Sequence, residues 1–179
     1  MKYVALLRGV NVGGKNKVSM SDLRQIFINA GFNNVSTYIN SGNVIFETNI
    51  IRIIDISKLC ESLLWKKLKI SAGVAVISAD DLNDSLNHAP AWWNNDSNSK
   101  HNAIFAIEPA SVEEVFKEIG EIKPDYEKIA YYGDVIFWSA PIETFGRTRL
   151  SKIVGTNTYG KITIRNANTA TKLRDLTRD

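Results

Sequence analysis

The chain is poor in the residues that cross-link small proteins or bind metals. It contains 179 residues but a single cysteine, Cys60, so no internal disulfide forms, and this scarcity weakly indicates a reducing, cytoplasmic compartment. Its two histidines, His88 and His101, have no H-x-x-x-H spacing, and the chain has no C-x-x-C motif. We therefore predict no metal site, and nothing in the sequence indicates a cofactor.

Long apolar runs are also missing from the sequence. No run reaches the ~18 residues that a membrane-spanning helix needs. The segment 2–8 has the pattern of a buried strand and not that of a signal peptide. We predict that the protein does not associate with membranes.

The charges present are nearly balanced but unevenly distributed. The formal net charge is +3, from 22 basic and 19 acidic residues, and 44% of the residues are hydrophobic, which is typical of a globular protein. Basic residues dominate segments 1–24 and 145–179, whereas acidic residues dominate segment 108–143. Two basic ends indicate a polyanionic partner, either nucleic acid or a phosphorylated small molecule. A solvated surface of mixed charge is the simpler interpretation of the same pattern.

Apolar periodicity predicts the order strand, helix, strand, strand, helix, strand in the first half of the chain. Ser19 or Ser21 is expected to cap the first helix and Gly31 to end it. The predicted elements are a strand at Tyr3–Leu7, a helix over 20–30, a hairpin of Val35–Ile39 and Val44–Glu47, a helix around Cys60, and a strand at Val74–Ile77.

The same order recurs in the second half, and Gly133–Phe137 (GDVIF) matches Gly42–Phe46 (GNVIF). We therefore predict an α+β fold of two ferredoxin-like (βαββαβ) halves in tandem plus a C-terminal helix, with halves at 1–88 and 103–179 joined by a connector at 89–102. The recurrence indicates gene duplication, and the alternative is that two unrelated hairpins have converged on the same turn sequence. The predicted elements are strands at Ala103–Ile107, Ile129–Tyr132, Val135–Trp138 and Ile162–Ile164, and helices over 112–119, 149–154 and Thr169–Thr177.

A glycine-rich loop follows the first predicted strand. Residues 9–16 fit the phosphate-binding pattern G-x-x-x-x-G-K, but Asn16 stands where a P-loop requires a serine or threonine to hold Mg²⁺. The next helix is expected near Ser19, too late for a P-loop, and the chain lacks the alternating βα pattern of nucleotide hydrolases. The loop therefore predicts a generic anion or phosphate site, with a plain flexible loop as the alternative.

Basic residues also precede helices, where the helix dipole favours acidic ones. Lys15 and Lys17 come just before the first helix, and Arg147 and Arg149 stand at the start of the predicted helix over 149–154. Residues that go against local structural preferences without a structural benefit are typical of functional sites. Neighbouring acidic residues such as Asp22 can, however, neutralise the charge at these helix ends. The predicted anion-binding residues are Arg8, Gly9, Asn11, Gly13, Gly14, Lys15, Asn16, Lys17, Arg147, Arg149, Lys152, Arg165, Asn166 and Lys172.

Three other features have mainly structural interpretations. Cys60 lies on the apolar stripe of its helix and is expected to be a buried thiol, not a nucleophile. Asp80 and Asp81 are expected to cap the helix that follows a strand. The pair Trp92-Trp93 is expected to fill the seam between the halves, with a base-stacking platform as the alternative.

Four segments resemble the motifs of a bacterial family known as domain of unknown function 1697. They are 6–18, 38–43, 146–152 and 163–173, and the resemblance extends over nearly the whole chain. It implies a two-part ferredoxin-like α+β fold, in agreement with the predicted element order. It implies no activity, because the family is uncharacterised. Ala167 stands where an aromatic residue is common in the family.

The leading functional hypothesis is a protein that binds a phosphate-bearing partner, either nucleic acid or a nucleotide. The second hypothesis is a small enzyme that acts on a phosphorylated or carboxylated metabolite between the halves, with Tyr38, Ser41 and Asp22 as the local acid or base groups. The third is an assembly protein whose sheet edge pairs with a second copy. No catalytic residue is assigned, and the sequence does not indicate an oligomeric state.

Overall fold

The computed structural model describes residues 1–178, which form two four-stranded antiparallel sheets with helices. The first sheet has the strand order β2-β3-β1-β4. Its strands are β1 (Lys2–Leu7), β2 (Asn33–Tyr38), β3 (Asn43–Glu47) and β4 (Val74–Ser78). The helices of this half are α1 (Met20–Asn29), α2 (Ile53–Leu68) and α3 (Ala79–Asn87).

The second sheet repeats that arrangement, with the order β6-β7-β5-β8. Its strands are β5 (Ser99–Ala106), β6 (Lys128–Tyr132), β7 (Val135–Pro141) and β8 (Ile162–Asn166). The helices are α4 (Val112–Ile119), the short α5 (Asn157–Gly160) and α6 (Ala167–Arg178), with 3-10 turns at Ile142–Arg147 and Leu150–Lys152. Within residues 1–178, no helix has both the length and the apolar composition needed to cross a bilayer.

The two sheets share a core. Alternate residues of β1 face opposite sides, so that Tyr3 packs with α1 and α2 while Val4 faces the second sheet. The shared cluster also contains Phe137 of β7, Trp93 of the connector and Leu173 of α6. Because α3 and α6 pack on each other between the sheets, the halves are joined by an apolar interface and not by the connector alone. Trp93 therefore lies at the predicted seam, and Trp92 packs partly buried against it.

Two local predictions are wrong and one boundary moves. No α-helix spans 149–154, because the backbone N–H groups of Arg149 and Leu150 donate to the buried Glu127 carboxylate. Only the 3-10 turn Leu150–Lys152 forms, and the chain then turns at Gly155, which has a φ of +90°. The cap of α3 is Ser78, whose hydroxyl accepts from the backbone N–H of Asp81, so the aspartates occupy the first turn instead. Strand β5 begins at Ser99, inside the predicted connector.

Candidate functional site

The end of β1 and the start of α6 border a cleft between the two halves. It has a volume of about 340 Å³. Within the part of the chain that the structure describes, its lining contains two arginines and no acidic residue. The lining residues from the first half are Leu7, Arg8, Gly9, Val10, Val12, Ile39 and Ser41, and those from the second half are Tyr159, Ile162, Thr163, Ile164, Arg165, Asn166 and Thr169.

Arg165 links the halves at the floor of this cleft. Its side chain comes from β8 and donates across the interface to Asn43 Oδ1 at 2.6 Å and to the backbone oxygens of Leu7 at 2.9 Å and Ser41 at 3.1 Å. The remaining N–H groups donate to Thr163 Oγ1 and to the Ile164 carbonyl. All five donors thus have acceptors within the protein, which leaves no N–H group of Arg165 free for a direct contact with a ligand.

The charge of Arg165 nevertheless bears on the cleft. Burial lowers the pKa of the guanidinium to about 10, so it stays charged at neutral pH. Among residues 1–178, no carboxylate lies within 4.0 Å of it, and its acceptors are all neutral oxygens. A buried cation without a carboxylate partner leaves a positive field, which is weakly screened where solvent is excluded.

Arg8 is the guanidinium with donors to spare. It follows β1 directly, is half-buried, and lies over the ring of Tyr159 with its Cζ 4.7 Å from the ring centroid. No carboxylate of the described residues pairs with it. The stacking on Tyr159 orients the planar group while leaving its N–H edge open, which is the arrangement that suits bidentate binding of a phosphate or carboxylate.

The N-terminal end of α6 is the third component of the cleft. Asn166 caps the helix, since its Oδ1 accepts from the Thr169 backbone N–H at 2.8 Å. No acidic residue occupies the first turn of α6, in contrast to α1, α2, α3 and α4. Lys172 lies one turn further along the same helix and is exposed. The positive end of the helix dipole therefore adds to the field of the two arginines.

The glycine-rich loop has a different structure from a P-loop. Residues Val12 and Lys15 form an isolated antiparallel bridge, and the Asn11 backbone N–H donates to the Asn16 carbonyl. The Asn11 side chain fixes the loop by hydrogen bonds to the backbone of Val18 and to the Asn40 carbonyl, so its amide is engaged within the protein. These contacts close the loop as a small hairpin. Its exposed residues are Val12, Gly13, Gly14, Lys15, Asn16 and Lys17.

The basic residues at 147–152 lie outside the cleft lining. Arg147 approaches the ring of Tyr126, and Arg149 and Lys152 border a separate cavity of about 170 Å³ with Glu118. Because only the short 3-10 turns Ile142–Arg147 and Leu150–Lys152 form here, the helix-dipole argument does not apply to them. It is also weak at α1, where Ser19 is the cap and Asp22 occupies the first turn.

Sequence reasoning missed several cleft residues. Tyr159 stands outside every motif, and Ile39 and Thr169 lie in family-like segments but carry no charge that would have marked them as anion-binding residues. Gly42 does not line the cleft but stands in the turn beside Ser41: a Cβ there would lie 2.8 Å from the Leu7 Cβ, and its φ of +71° favours glycine. Of the three acid or base groups suggested by sequence, only Ser41 lines the cleft. No group of three or more His, Cys, Asp or Glu side chains suited to a metal ion occurs within residues 1–178.

Two comparisons with known proteins, one with solved structures and one with family models, found a match. The chain is similar to a solved structure, the conserved bacterial protein SP0830 from Streptococcus pneumoniae, with 32% sequence identity over 98% of both chains and a TM-score of 0.86. No curated protein matches. The profile of the family described as "Protein of unknown function (DUF1697)" matches residues 1–137. The chain therefore belongs to the DUF1697 family.

Proposed function

We propose that the cleft between the halves binds a small phosphorylated or carboxylated molecule through an anionic group held by Arg8. The observation that carries this proposal is a cleft with two arginines in its lining, one of them buried without a carboxylate, and no acidic lining residue among those the structure describes. Cations so placed lose part of their hydration, and an anionic ligand compensates that loss.

Each of these cleft residues has a separate role in binding. The Arg8 guanidinium supplies the bidentate contact, and Tyr159 keeps it oriented. The exposed amide nitrogen of Asn166 makes no hydrogen bond to residues 1–178 and is available to a ligand. Arg165 acts as a positioning residue, because it joins the walls of the cleft and contributes charge without contacting the anion.

The size of the cleft favours a small ligand over a nucleic-acid strand. A volume of about 340 Å³ lies at the lower end of the range of small-molecule sites, ~300–1,000 Å³. Apolar side chains, among them Val10, Ile162 and Ile164, line much of the remaining wall. A strand binding along Lys15 and Lys17 would instead depend on several phosphate contacts and on low salt.

Calorimetric titration with inorganic phosphate, phenyl phosphate and a nucleoside monophosphate tests the proposal. The wild-type protein should bind at least one of them, and Arg8→Gln should weaken binding about 10- to 100-fold, because a charge-assisted hydrogen-bond pair contributes ~1.5–3 kcal/mol. Arg147→Gln is the matched control, since Arg147 is also an arginine lying over a tyrosine but stands outside the cleft lining.

Two results would contradict this function. One is the absence of binding to all three anions by a folded wild-type protein. The other is an equal loss of affinity in Arg8→Gln and Arg147→Gln, which would indicate general surface attraction. A nucleic-acid partner would be recognised by an affinity that falls by about one power of salt concentration per phosphate neutralised.

The finer description of the fold belongs to the same proposal. The identical strand order of the two sheets supports ferredoxin-like halves that arose by duplication. The boundaries at 88 and 103 and a cytoplasmic location remain predictions, and so does the third hypothesis, in which an edge strand such as β2 or β6 pairs with a second copy.

A further inference from the structure

A serine, a histidine and an aspartate come together on the second sheet, away from the cleft. His101 of β5 stands directly opposite Ser139 of β7, and Ser139 Oγ lies 2.6 Å from His101 Nδ1. On the other side of the ring, His101 Nε2 lies 3.0 Å from the Asp96 backbone oxygen and 3.5 Å from Asp96 Oδ2. Neither the motifs nor the anion hypothesis uses these three residues.

The contacts determine which nitrogen of His101 carries the proton when the ring is neutral. A backbone carbonyl only accepts hydrogen bonds, so Nε2–H donates to the Asp96 oxygen. Nδ1 then has a free lone pair and accepts the hydroxyl proton of Ser139. This is the orientation in which an imidazole withdraws a proton from a serine, with an acidic residue holding the other side of the ring.

A cavity gives Ser139 access to a substrate. Its volume is about 340 Å³, and both Ser139 and Asp96 line it. Trp92 and Tyr126 provide aromatic walls. Lys128 also lines the cavity and is paired with Ser139 across β6 and β7, so its side chain leaves the same face of the sheet and can bring a cation to a substrate oxygen on which negative charge develops.

We propose that Ser139 is the nucleophile of a second site, which cleaves carboxylic esters with an aryl or other apolar acyl group. His101 is the general base, and Asp96 is a positioning residue that holds the ring. Lys128 stabilises the oxyanion of the tetrahedral intermediate. The aromatic walls supply the apolar binding surface for the acyl group.

The reaction needs only the ester and water. As Ser139 Oγ bonds to the carbonyl carbon, its proton passes to His101 Nδ1; the carbon–oxygen bond to the alcohol then breaks, and the leaving oxygen takes the proton from His101. Water repeats the sequence by losing a proton to His101, bonding to the acyl carbon and releasing the carboxylic acid. Ser139 regains its proton, so the protein is unchanged after one turnover.

The ionisation of Asp96 agrees with its proposed role as a positioning residue. Desolvation opposes its ionisation, but hydrogen bonds from Ser99 and Asn98 and the proximity of His101 outweigh it, so the pKa of the carboxyl lies below its ordinary value. Asp96 is thus an anion at neutral pH beside Nε2. An anion at that position favours the imidazolium that forms when Ser139 loses its proton.

A fluorophosphonate probe tests the nucleophile directly, because serine displaces fluoride from phosphorus and keeps the phosphonyl group. Intact-mass analysis of the wild-type protein should show one adduct, and peptide mapping should place it on Ser139. Ser139→Ala should abolish the adduct. Ser57→Ala is the matched control that should retain it, since Ser57 is also buried but donates only to the Val74 carbonyl at 2.7 Å.

Asp96→Asn distinguishes a catalytic arrangement from a purely structural contact. The backbone oxygen that bonds His101 remains in this variant, so its melting temperature should stay near that of the wild type. Labelling should become at least about 10-fold slower, with a shifted pH profile, because the imidazolium loses its anionic neighbour. Unchanged kinetics would remove Asp96 from the mechanism.

The proposal is overturned by folded wild-type protein that acquires no adduct, or by an adduct that maps to another residue. The contact between Ser139 and His101 would then only anchor the connector to the sheet. Because the adduct is mapped on the wild-type chain, this outcome does not depend on whether any variant folds.

Discussion

Replacement of Arg165 by methionine measures how strongly one side chain joins the two halves. The variant removes the hydrogen bonds to Asn43 Oδ1 and to the carbonyls of Leu7 and Ser41, and it leaves three acceptors at the interface without those donors. An unpaired buried polar group costs ~1–3 kcal/mol. Removal of the buried charge offsets part of this cost, because the desolvation of the guanidinium itself destabilises the folded protein.

The expected net loss is ~3–5 kcal/mol of the free energy of unfolding, in the range observed when one partner of a buried charged contact is removed. With a urea dependence of ~2 kcal/mol per molar, the midpoint of unfolding should fall by about 1.5–2.5 M. Circular dichroism in urea measures this shift. Intrinsic tryptophan fluorescence should report the same midpoint, because Trp93 lies in the core shared by both sheets.

Arg24→Met is the control for this experiment. Arg24 also donates to a backbone carbonyl, that of Val35 at 2.8 Å, but only through one hydrogen bond on the first half. Its loss should be below ~1 kcal/mol. If Arg165→Met loses no more than the control, the hydrogen bonds across the interface do not hold the halves together, and the assignment of Arg165 as a positioning residue fails.

Three further outcomes are expected. Burial raises the pKa of the Cys60 thiol to about 12, so it should not react with a thiol reagent at pH 8 until denaturant is added; rapid native reaction would show that this helix opens readily. Burial and the charge of Asp81 raise the pKa of Asp134, so Asp134→Asn should increase the free energy of unfolding by a few tenths of a kcal/mol at pH 7. This gain should disappear below about pH 4, where the carboxyl is protonated in both the folded and the unfolded state. A gain that persists in acid would exclude charge repulsion as its cause. Ser111 and Glu114 form a capping box on α4, so Ser111→Ala should lower the free energy of unfolding by ~1 kcal/mol in thermal melts, whereas Ser111→Asp should retain most of it.

Elements with local signals were predictable from sequence. Strand β1 was recognisable because its central position makes it apolar on both faces, and α1 because its apolar spacing, Ser19 and Gly31 agree. The segment over 149–154 failed for a non-local reason. Its first N–H groups bond to Glu127, which lies 22 residues from Arg149 in the chain and captures them before a helix forms.

The candidate sites likewise contain residues that the sequence predicts and contacts that only folding creates. Arg8 and Gly9 were predicted as anion-binding residues, and they line the cleft. Arg165 was predicted with them, but its donors are consumed within the protein because Leu7, Ser41 and Asn43 happen to converge on it. No periodicity or spacing in the sequence reports which acceptors surround a side chain after folding.

The sequence by itself determined the alternation of strands and helices, the uneven distribution of charge and the burial of Cys60, because each depends on residues that are neighbours in the chain. Only the tertiary structure decided which cations share a space: Arg165 meets Leu7 although 158 positions separate them, and Arg147 stays outside the cleft. The pairing of His101 with Ser139 was decided in the same way, by the register of β5 against β7. Such contacts arise from the packing of whole elements, to which residues throughout the chain contribute.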